Sequence, residues 1–416
     1  MKASVLSIGD ELLVGQVINS NSAFIAQKLN PAGVEIIRVV TVGDDLDSIL
    51  ESLRDLNSNS DAVIVTGGLG PTHDDITRTA MCRFFNTTLE PNEQARASVA
   101  RFVEQRGLKW TAAADNQVLV PAGCRIIPNT LGTAPGEHFI DGRKSVFVLP
   151  GVPYEMEAMV TGYIVPWFLQ QPGGTFVLHR TLKTTGIPES VLAAKLGDIG
   201  ALIGNEKLAF LPSPFGVRLR ITTVTADRDA GERTLRSIEE RIRLLAAEYI
   251  YGTDDEELEE VLGGLLRERN LTIAVAESCT GGLIADRITN VPGSSDYFER
   301  GVITYSNRSK TELLRVPAEL IRVHGAVSEE VALAMARGIR EVSGADMGLS
   351  TTGIAGPGGG SPEKPVGLVW IACADSAGAI VRKFTFGDGR IRVKQRASQA
   401  ALEFARKRLL GTAANG

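Results

Sequence analysis

Short apolar runs alternate with amphipathic stretches along the chain, a pattern that predicts an α/β fold. In the first part, strands are predicted at Ser4–Ile8, Glu35–Val42, Ala62–Thr66 and Ser145–Leu149. Helical stretches at Ser20–Leu29, Leu46–Leu56, Asp75–Phe85 and Asn92–Arg106 lie between them. The strands end in Gly9, Gly67-Gly68 and Pro150-Gly151, and in an open α/β sheet such strand ends are where ligands sit. Gln171-Pro172-Gly173-Gly174 reads as a linker and closes a first domain over 1–170.

A smaller unit follows over 171–250, with a strand at Phe176–Thr184, a short helix at Pro188–Leu196 and a helix near Arg228–Glu248. Val217, Leu219 and Ile221 alternate with Arg218, Arg220 and Thr222, as in a half-exposed strand. This β-α-β-β-α pattern carries no catalytic signal and reads as a spacer or dimerisation unit. The third unit, 251–416, opens with Thr253 and an acidic run at residues 254–257, read as the N-cap and first turn of a helix. Leu271–Ala276 is a buried-type strand, with further strands at Met347–Thr352, Leu368–Ala374 and Ile380–Phe386 and helices near Ser328–Val342 and Ile391–Leu410. The expected architecture is two α/β sandwich domains joined by a small α+β middle domain.

At 416 residues, the length agrees with two to three domains. With 44 Lys plus Arg against 49 Asp plus Glu, the net charge of -5 argues against a protein that coats nucleic acid. Four scattered cysteines form no CxxC pair, which leaves no zinc ribbon or disulfide framework. The short apolar run at the N-terminus does not read as a signal peptide and no stretch is long enough to span a membrane, so a cytoplasmic setting is expected. Only four histidines are present, and only His324 lies in the third unit, which thins the case for a Ser-His-Asp triad there.

In the first domain, Gly67-Gly68-Leu69-Gly70-Pro71-Thr72-His73-Asp74-Asp75 follows a strand and opens a helix. Such glycines let backbone amides approach a phosphate, and a helix N-terminus adds positive field. Asp74 and Asp75 read as holders of a divalent cation or as helix caps. Asp10 and Glu11, at the end of the first strand, can face the same crevice, and His73 is a candidate acid/base or ligand.

In the third unit, Ala276-Glu277-Ser278-Cys279-Thr280-Gly281-Gly282 forms a strand-to-helix turn. Ser278 there reads equally as an N-cap or as a nucleophile with helix amides ready for an oxyanion. Cys279 is a rival nucleophile or a small core residue. Lys310 is either a solvated helix lysine or a base whose pKa burial has lowered from about 10.4. The Gly-rich segment from Thr352 to Gly367 suits a substrate-covering loop, and Arg390 is a candidate phosphate partner.

Two sets of motifs resemble one family. GDELL at 9–13, NSN at 19–21, TGGLGPTHDD at 66–75, GTAPG at 132–136 and LPGVP at 149–153 resemble the MoaB/MogA-like molybdopterin-binding domain in its CinA-family version. AESCTGG at 276–282, YSN-x-x-K at 305–310, HGAVSE at 324–329, TGIAGP at 352–357 and EKPVG at 363–367 resemble the CinA C-terminal domain, whose stand-alone form is the PncC-type nicotinamide-nucleotide amidase.

For the third unit the resemblance implies hydrolysis of nicotinamide mononucleotide (NMN) to nicotinic acid mononucleotide and ammonia, without a cofactor. Ser278 would be the nucleophile, Lys310 the base and Tyr305 a residue tuning proton transfer. Glu277, Thr280, Gly281, Gly282, Thr352, Gly353, Ala355, Gly356 and Arg390 would bind substrate, with Arg392 a rival to Arg390 because the family's Gly-Asp-Arg is here Asp388-Gly389-Arg390.

For the first domain it implies an ADP-ribose pyrophosphatase. Gly67, Gly68, Gly70, Thr72 and Asn21 would bind the nucleotide. Asp10, Glu11, Asp74 and Asp75 would hold a divalent cation (Mg, Mn or Co), with K as a further candidate. Small nucleotides are the expected partners, without direct nucleic acid or membrane, in a homodimer. The alternatives are a molybdopterin-binding or adenylyltransferase-like protein, and a non-catalytic competence or DNA-damage interaction protein.

Overall fold

Lys2–Ile8 (β1), Glu35–Val42 (β2) and Ala62–Thr66 (β3) are parallel strands of the first sheet in the computed structural model, which describes residues 1–70, 75–171, 176–387 and 389–413. The chain divides into two compact units, Met1–His179 with Thr222–Leu235, and Arg180–Ile221 with Arg236–Gly416.

In the first unit, Leu89–Pro91 (β4) and Leu119–Pro121 (β5) form a small antiparallel pair. Arg125–Ile127 (β6), Gly136–Asp141 (β7) and Lys144–Leu149 (β8) complete the main sheet, in the order β2-β1-β3-β8-β7-β6. Its central strands are buried on both faces. Ala3, Val5, Ala62, Ile64, Phe147 and Leu149 meet the helices Ser20–Leu29 and Pro153–Met159. Leu6, Ile8, Val63, Val65, Val146 and Val148 meet Leu46–Asn59 and Thr77–Phe84. Burial on both sides explains why these strands read as continuous apolar runs.

Two details differ from the sequence pattern. The helix expected at Asp75–Phe85 spans Thr77–Phe84, because the Asp75 carboxylate turns back to the amide of Gly70 at 2.8 Å. Strand β7 carries Glu137 and His138 at full burial, so its pattern hid it. Arg78 supports that placement, with its Nε 2.9 Å from Glu137 Oε1.

Phe176–Thr184 (β9), Lys207–Ser213 (β10), Gly216–Thr225 (β11) and Ile250–Thr253 (β12) form a four-stranded sheet ordered β10-β11-β9-β12. Helices Glu189–Leu196, Ile199–Ile203 and Arg228–Ala246 accompany it. Thr253 is therefore the end of a strand and no N-cap. The following helix, Leu258–Glu268, starts at Glu257, whose capping box with Glu260 serves the first amides better.

Ile273–Glu277 (β13), Phe298–Ile303 (β14), Met347–Gly353 (β15), Leu368–Asp375 (β16) and Gly378–Thr385 (β17) form a five-stranded sheet ordered β14-β13-β15-β16-β17. β13 is parallel to both neighbours, and the remaining pairs are antiparallel. The chain leaves β13 for β14 on one side and returns to β15 on the other. That reversal opens a crevice at the carboxyl ends of the parallel strands. Helix Arg390–Leu409 seals one face with Val393, Ala397, Ala401 and Leu402, and Glu329–Ser343 covers the other with Val331, Met335 and Ile339. Among the described residues no helix is long and apolar enough to cross a membrane.

Candidate functional site

Ser278 follows β13 at that crevice, and its amide donates to the Thr351 carbonyl at 3.0 Å, which ties the turn to β15. Glu277, 1% exposed, directs its carboxylate to the amides of Gly282, Ile284 and Ala285 at 2.9, 3.1 and 2.8 Å. It satisfies the orphan donors of helix Leu283–Thr289, so its position is that of a cap beneath the turn and not of a substrate contact. Gly281 (φ 62°) and Gly282 (φ 95°) take left-handed conformations that let the turn reverse over that carboxylate.

Lys310 reaches the same point from the other side of β13. Ser306 and Ser309 form a capping box at the start of helix Asn307–Leu314, which turns Lys310 inward. The lysine is 1% exposed, with Nζ 3.1 Å from Ser278 Oγ and 2.7 Å from the Thr304 carbonyl oxygen. Burial pulls its pKa from 10.5 to about 8, so a substantial neutral fraction exists near physiological pH. A neutral amine so placed can accept the Ser278 hydroxyl proton while still donating to Thr304.

The rival groups are positioned otherwise. Burial pushes the Cys279 thiol up to about 12, which leaves no appreciable thiolate. His324 pairs through Nδ1 with Glu330 at 3.0 Å, and its carbonyl accepts from Lys364 at 2.7 Å. Tyr305 is exposed, and its hydroxyl accepts from Arg390 Nη2 at 2.7 Å and makes no bond to Ser278 or Lys310. Arg390 Nη1 donates to the Gly356 carbonyl at 2.9 Å, so this guanidinium joins the end of β14 to the loop after β15. Arg392 packs its side chain by Gly389 instead.

The threonines face inward. Thr280 and Thr351 share a hydroxyl bond at 2.8 Å, and Thr352 donates to Ala326 O at 2.6 Å. Gly353 has no room for a Cβ beside the Leu368 carbonyl, and Ala355 is buried. The loop beyond is held rather than slack, with Ser361 and Lys364 exchanging backbone and side-chain bonds.

In the first unit, the ends of β1 and β3 come together so closely that a Cβ on Gly67 would strike the Ile8 carbonyl. Asn21 Nδ2 donates to Thr66 Oγ1 at 3.1 Å and to Gly151 O at 2.8 Å, which gathers three motif segments at one crevice. Gly68 takes φ 63° and packs against Thr77. The Gly70 amide is taken by Asp75. Asp10 and Asp44 exchange amide-to-carboxylate bonds of 3.1 and 3.2 Å, and Glu11 curls beside Gly9. Thr72, His73 and Asp74 lie outside the described residues. Among the described residues no three His, Cys, Asp or Glu side chains are grouped to hold a metal ion. The described carboxylates therefore do not by themselves fit a cation site.

Sequence patterns did not single out Thr304 or Asp44. Thr304 stands directly before the Tyr305-Ser306-Asn307 motif and contributes only its carbonyl, which no residue type announces. Asp44 meets Asp10 across 34 residues, a pairing set by β1 and β2 lying side by side.

Comparison with known proteins places three family models along the chain. "Probable molybdopterin binding domain" matches residues 4–170, "Damage-inducible protein CinA KH domain" residues 179–252, and "CinA C-terminal domain" residues 255–409. A CinA-like protein of Chloroherpeton thalassium is 44% identical over 419 residues, covering 98% of this chain and 99% of the relative. A CinA-like protein of Salinibacter ruber is 44% identical over 412 residues, covering 98% of this chain and all of the relative (100%). The crystal structure of competence/damage inducible protein CihA from Agrobacterium tumefaciens is 41% identical, with a TM-score of 0.36, covering 37% of this chain and 93% of that one. On near-full-length identity of this order, the chain belongs to the CinA family.

Proposed function

We propose that the third domain is a metal-independent amidohydrolase that converts NMN to nicotinic acid mononucleotide and ammonia. The observation that carries it is the buried Lys310 Nζ 3.1 Å from Ser278 Oγ, at the carboxyl end of β13. Neutral Lys310 takes the hydroxyl proton as Ser278 Oγ attacks the carboxamide carbon. The amides of Thr280 and Gly281, in a tight turn beside Ser278, suit the developing oxyanion. The proton on Lys310 then goes to the leaving nitrogen, ammonia departs, and an acyl-enzyme remains. Water, deprotonated by Lys310, releases the acid and restores Ser278. The test is ammonia release from NMN. Wild-type protein should release it with or without chelator, and Ser278→Ala should not. Unchanged release by Ser278→Ala would sink the proposal.

A second reading concerns the first domain. The glycine turn at 67–70 and Asn21 gather at one crevice, which supports binding of a nucleotide pyrophosphate, with ADP-ribose the substrate the motifs favour. Cation dependence rests on the motif likeness, because the described carboxylates form no cation cluster. AMP release from ADP-ribose, stopped by chelator, would support this reading, and molybdopterin binding without AMP release would replace it.

A further inference from the structure

Arg287 lies on helix Leu283–Thr289, the helix that follows the Ser278 turn, and is 8% exposed. Its guanidinium is bonded around its own plane. Nε and Nη2 reach the Glu259 carboxylate, on helix Leu258–Glu268, at 3.2 and 2.6 Å. Nη1 donates to Ser398 Oγ at 3.1 Å and Nη2 to Gln399 Oε1 at 2.8 Å, both on helix Arg390–Leu409. One side chain thus ties three helices of the third domain together. Two of them frame the crevice, one leaving the turn after Ser278 and the other starting at Arg390.

With the edge of the guanidinium engaged, its face remains, and the KH unit covers it. Arg287 Cζ stands over the ring of Phe215, 5.1 Å from its centroid, at the tip of the β10–β11 hairpin. A cation over an aromatic face is attracted by the ring quadrupole, more strongly where water is excluded. A second grip reaches the same node. Lys183 Nζ, on β9, pairs with Glu257 at 2.7 Å, and Glu257 caps the helix that carries Glu259. The KH unit therefore holds Arg287 through the face of its guanidinium and through the helix of its carboxylate partner.

We infer that Phe215 of the KH unit is a positioning residue for the reaction at Ser278: by covering Arg287 it fixes helix Leu283–Thr289, and with it the turn whose amides meet the oxyanion. The inference rests on the amidohydrolase reading and adds a control element from outside the third domain. Phe215 acts on the share of molecules that hold the turn in place. The turn serves the transition state, so loss of the ring lowers kcat and leaves ground-state binding nearly alone.

The experiment compares the wild-type full chain with Phe215→Leu and Phe215→Tyr. Leucine keeps the apolar bulk and removes the ring face, whereas tyrosine keeps the face. In Phe215→Leu, kcat for ammonia release from NMN should fall about 3- to 30-fold, the range of one cation–π contact, with KM changing less than twofold. Hydrogen exchange should speed at least threefold over residues 282–289, whose first amides Glu277 holds, while β13 keeps its wild-type rate. Phe215→Tyr should restore both. Wild-type behaviour of Phe215→Leu overturns the inference, and so does faster exchange with kcat unchanged. Faster exchange spread through β13 also overturns it, because that marks general destabilisation. If the wild type releases no ammonia while Phe215→Leu still loosens residues 282–289, the amidohydrolase reading falls and the tie between hairpin and turn stands.

Discussion

Lys310 Nζ stands 3.1 Å from Ser278 Oγ, across 32 residues of sequence, with the lysine shut away from solvent. Removing the amine should disable the proton shuttle while leaving the hydroxyl in place. Lys310→Met is expected to lower kcat/KM for NMN by about 10²- to 10⁴-fold, the range of general acid–base contributions. Steady-state ammonia release checks it. A loss under tenfold would mean that another group carries the proton.

The same lysine sets a pH dependence. The base works only when neutral, so kcat/KM should rise with pH through an apparent pKa of about 8 and level off above it. A profile flat from pH 6 to 9 would contradict this.

Stability should follow the opposite logic of cost. The folded pKa of about 8 lies below the ordinary value of 10.5, so between them the unfolded chain holds the extra proton and folding gains as pH rises. The penalty is fully present below pH 8 and gone above 10.5. Lys310→Met should therefore melt higher than wild type at pH 7, with the gap narrowing by pH 10 in paired thermal melts. A gap that does not narrow would show that the ammonium is not the source.

Arg390 ties the exposed Tyr305 hydroxyl to the Gly356 carbonyl. Arg390→Ala should raise the KM for NMN by roughly tenfold or more and speed proteolytic cutting within residues 354–366. Lys, a single point donor, should restore only part of either effect. Limited proteolysis followed by mass spectrometry reads the second effect independently of catalysis.

Glu277 accepts from three amides, and a carboxamide in its place offers one acceptor oxygen and a misplaced NH₂. Glu277→Gln should cost about 1–3 kcal/mol in urea unfolding of this unit. A cost near zero would show that the helix amides find other partners.

How much of this was legible in sequence varies element by element. β1 and β3 were readable because burial on both faces keeps charge out of their interiors, and β2, a partly buried edge strand, because its run is rich in β-branched residues. β14 was not, since this edge strand carries Glu299 and Arg300 on exposed positions and resembles a loop. The KH unit's second short helix, Ile199–Ile203, was hidden because Gly197-Asp198-Ile199-Gly200 reads as a turn, although Asp198 caps it. In the site, the residue types of Ser278 and Lys310 were visible, but their meeting was not. Spacing alone left Lys310 open between a solvated helix lysine and a buried base, and only the fold, by placing β14 beside β13, buries it. Tyr305 shows the converse. Its place in the motif was plain, yet its hydroxyl is engaged by Arg390, a partner 85 residues away.

That separation has a consequence for how the third domain comes together. The chain emerges from the ribosome with Ser278, Tyr305 and Lys310 long before Arg390 and its helix. That helix also supplies Val393, Ala397, Ala401 and Leu402 to cover the sheet bearing Ser278. A nascent chain halted before residue 390 would carry the serine and the lysine on an uncovered sheet with no helix to close it. The sheet that carries the serine–lysine pair is thus closed only once the helix Arg390–Leu409 has been made and has docked.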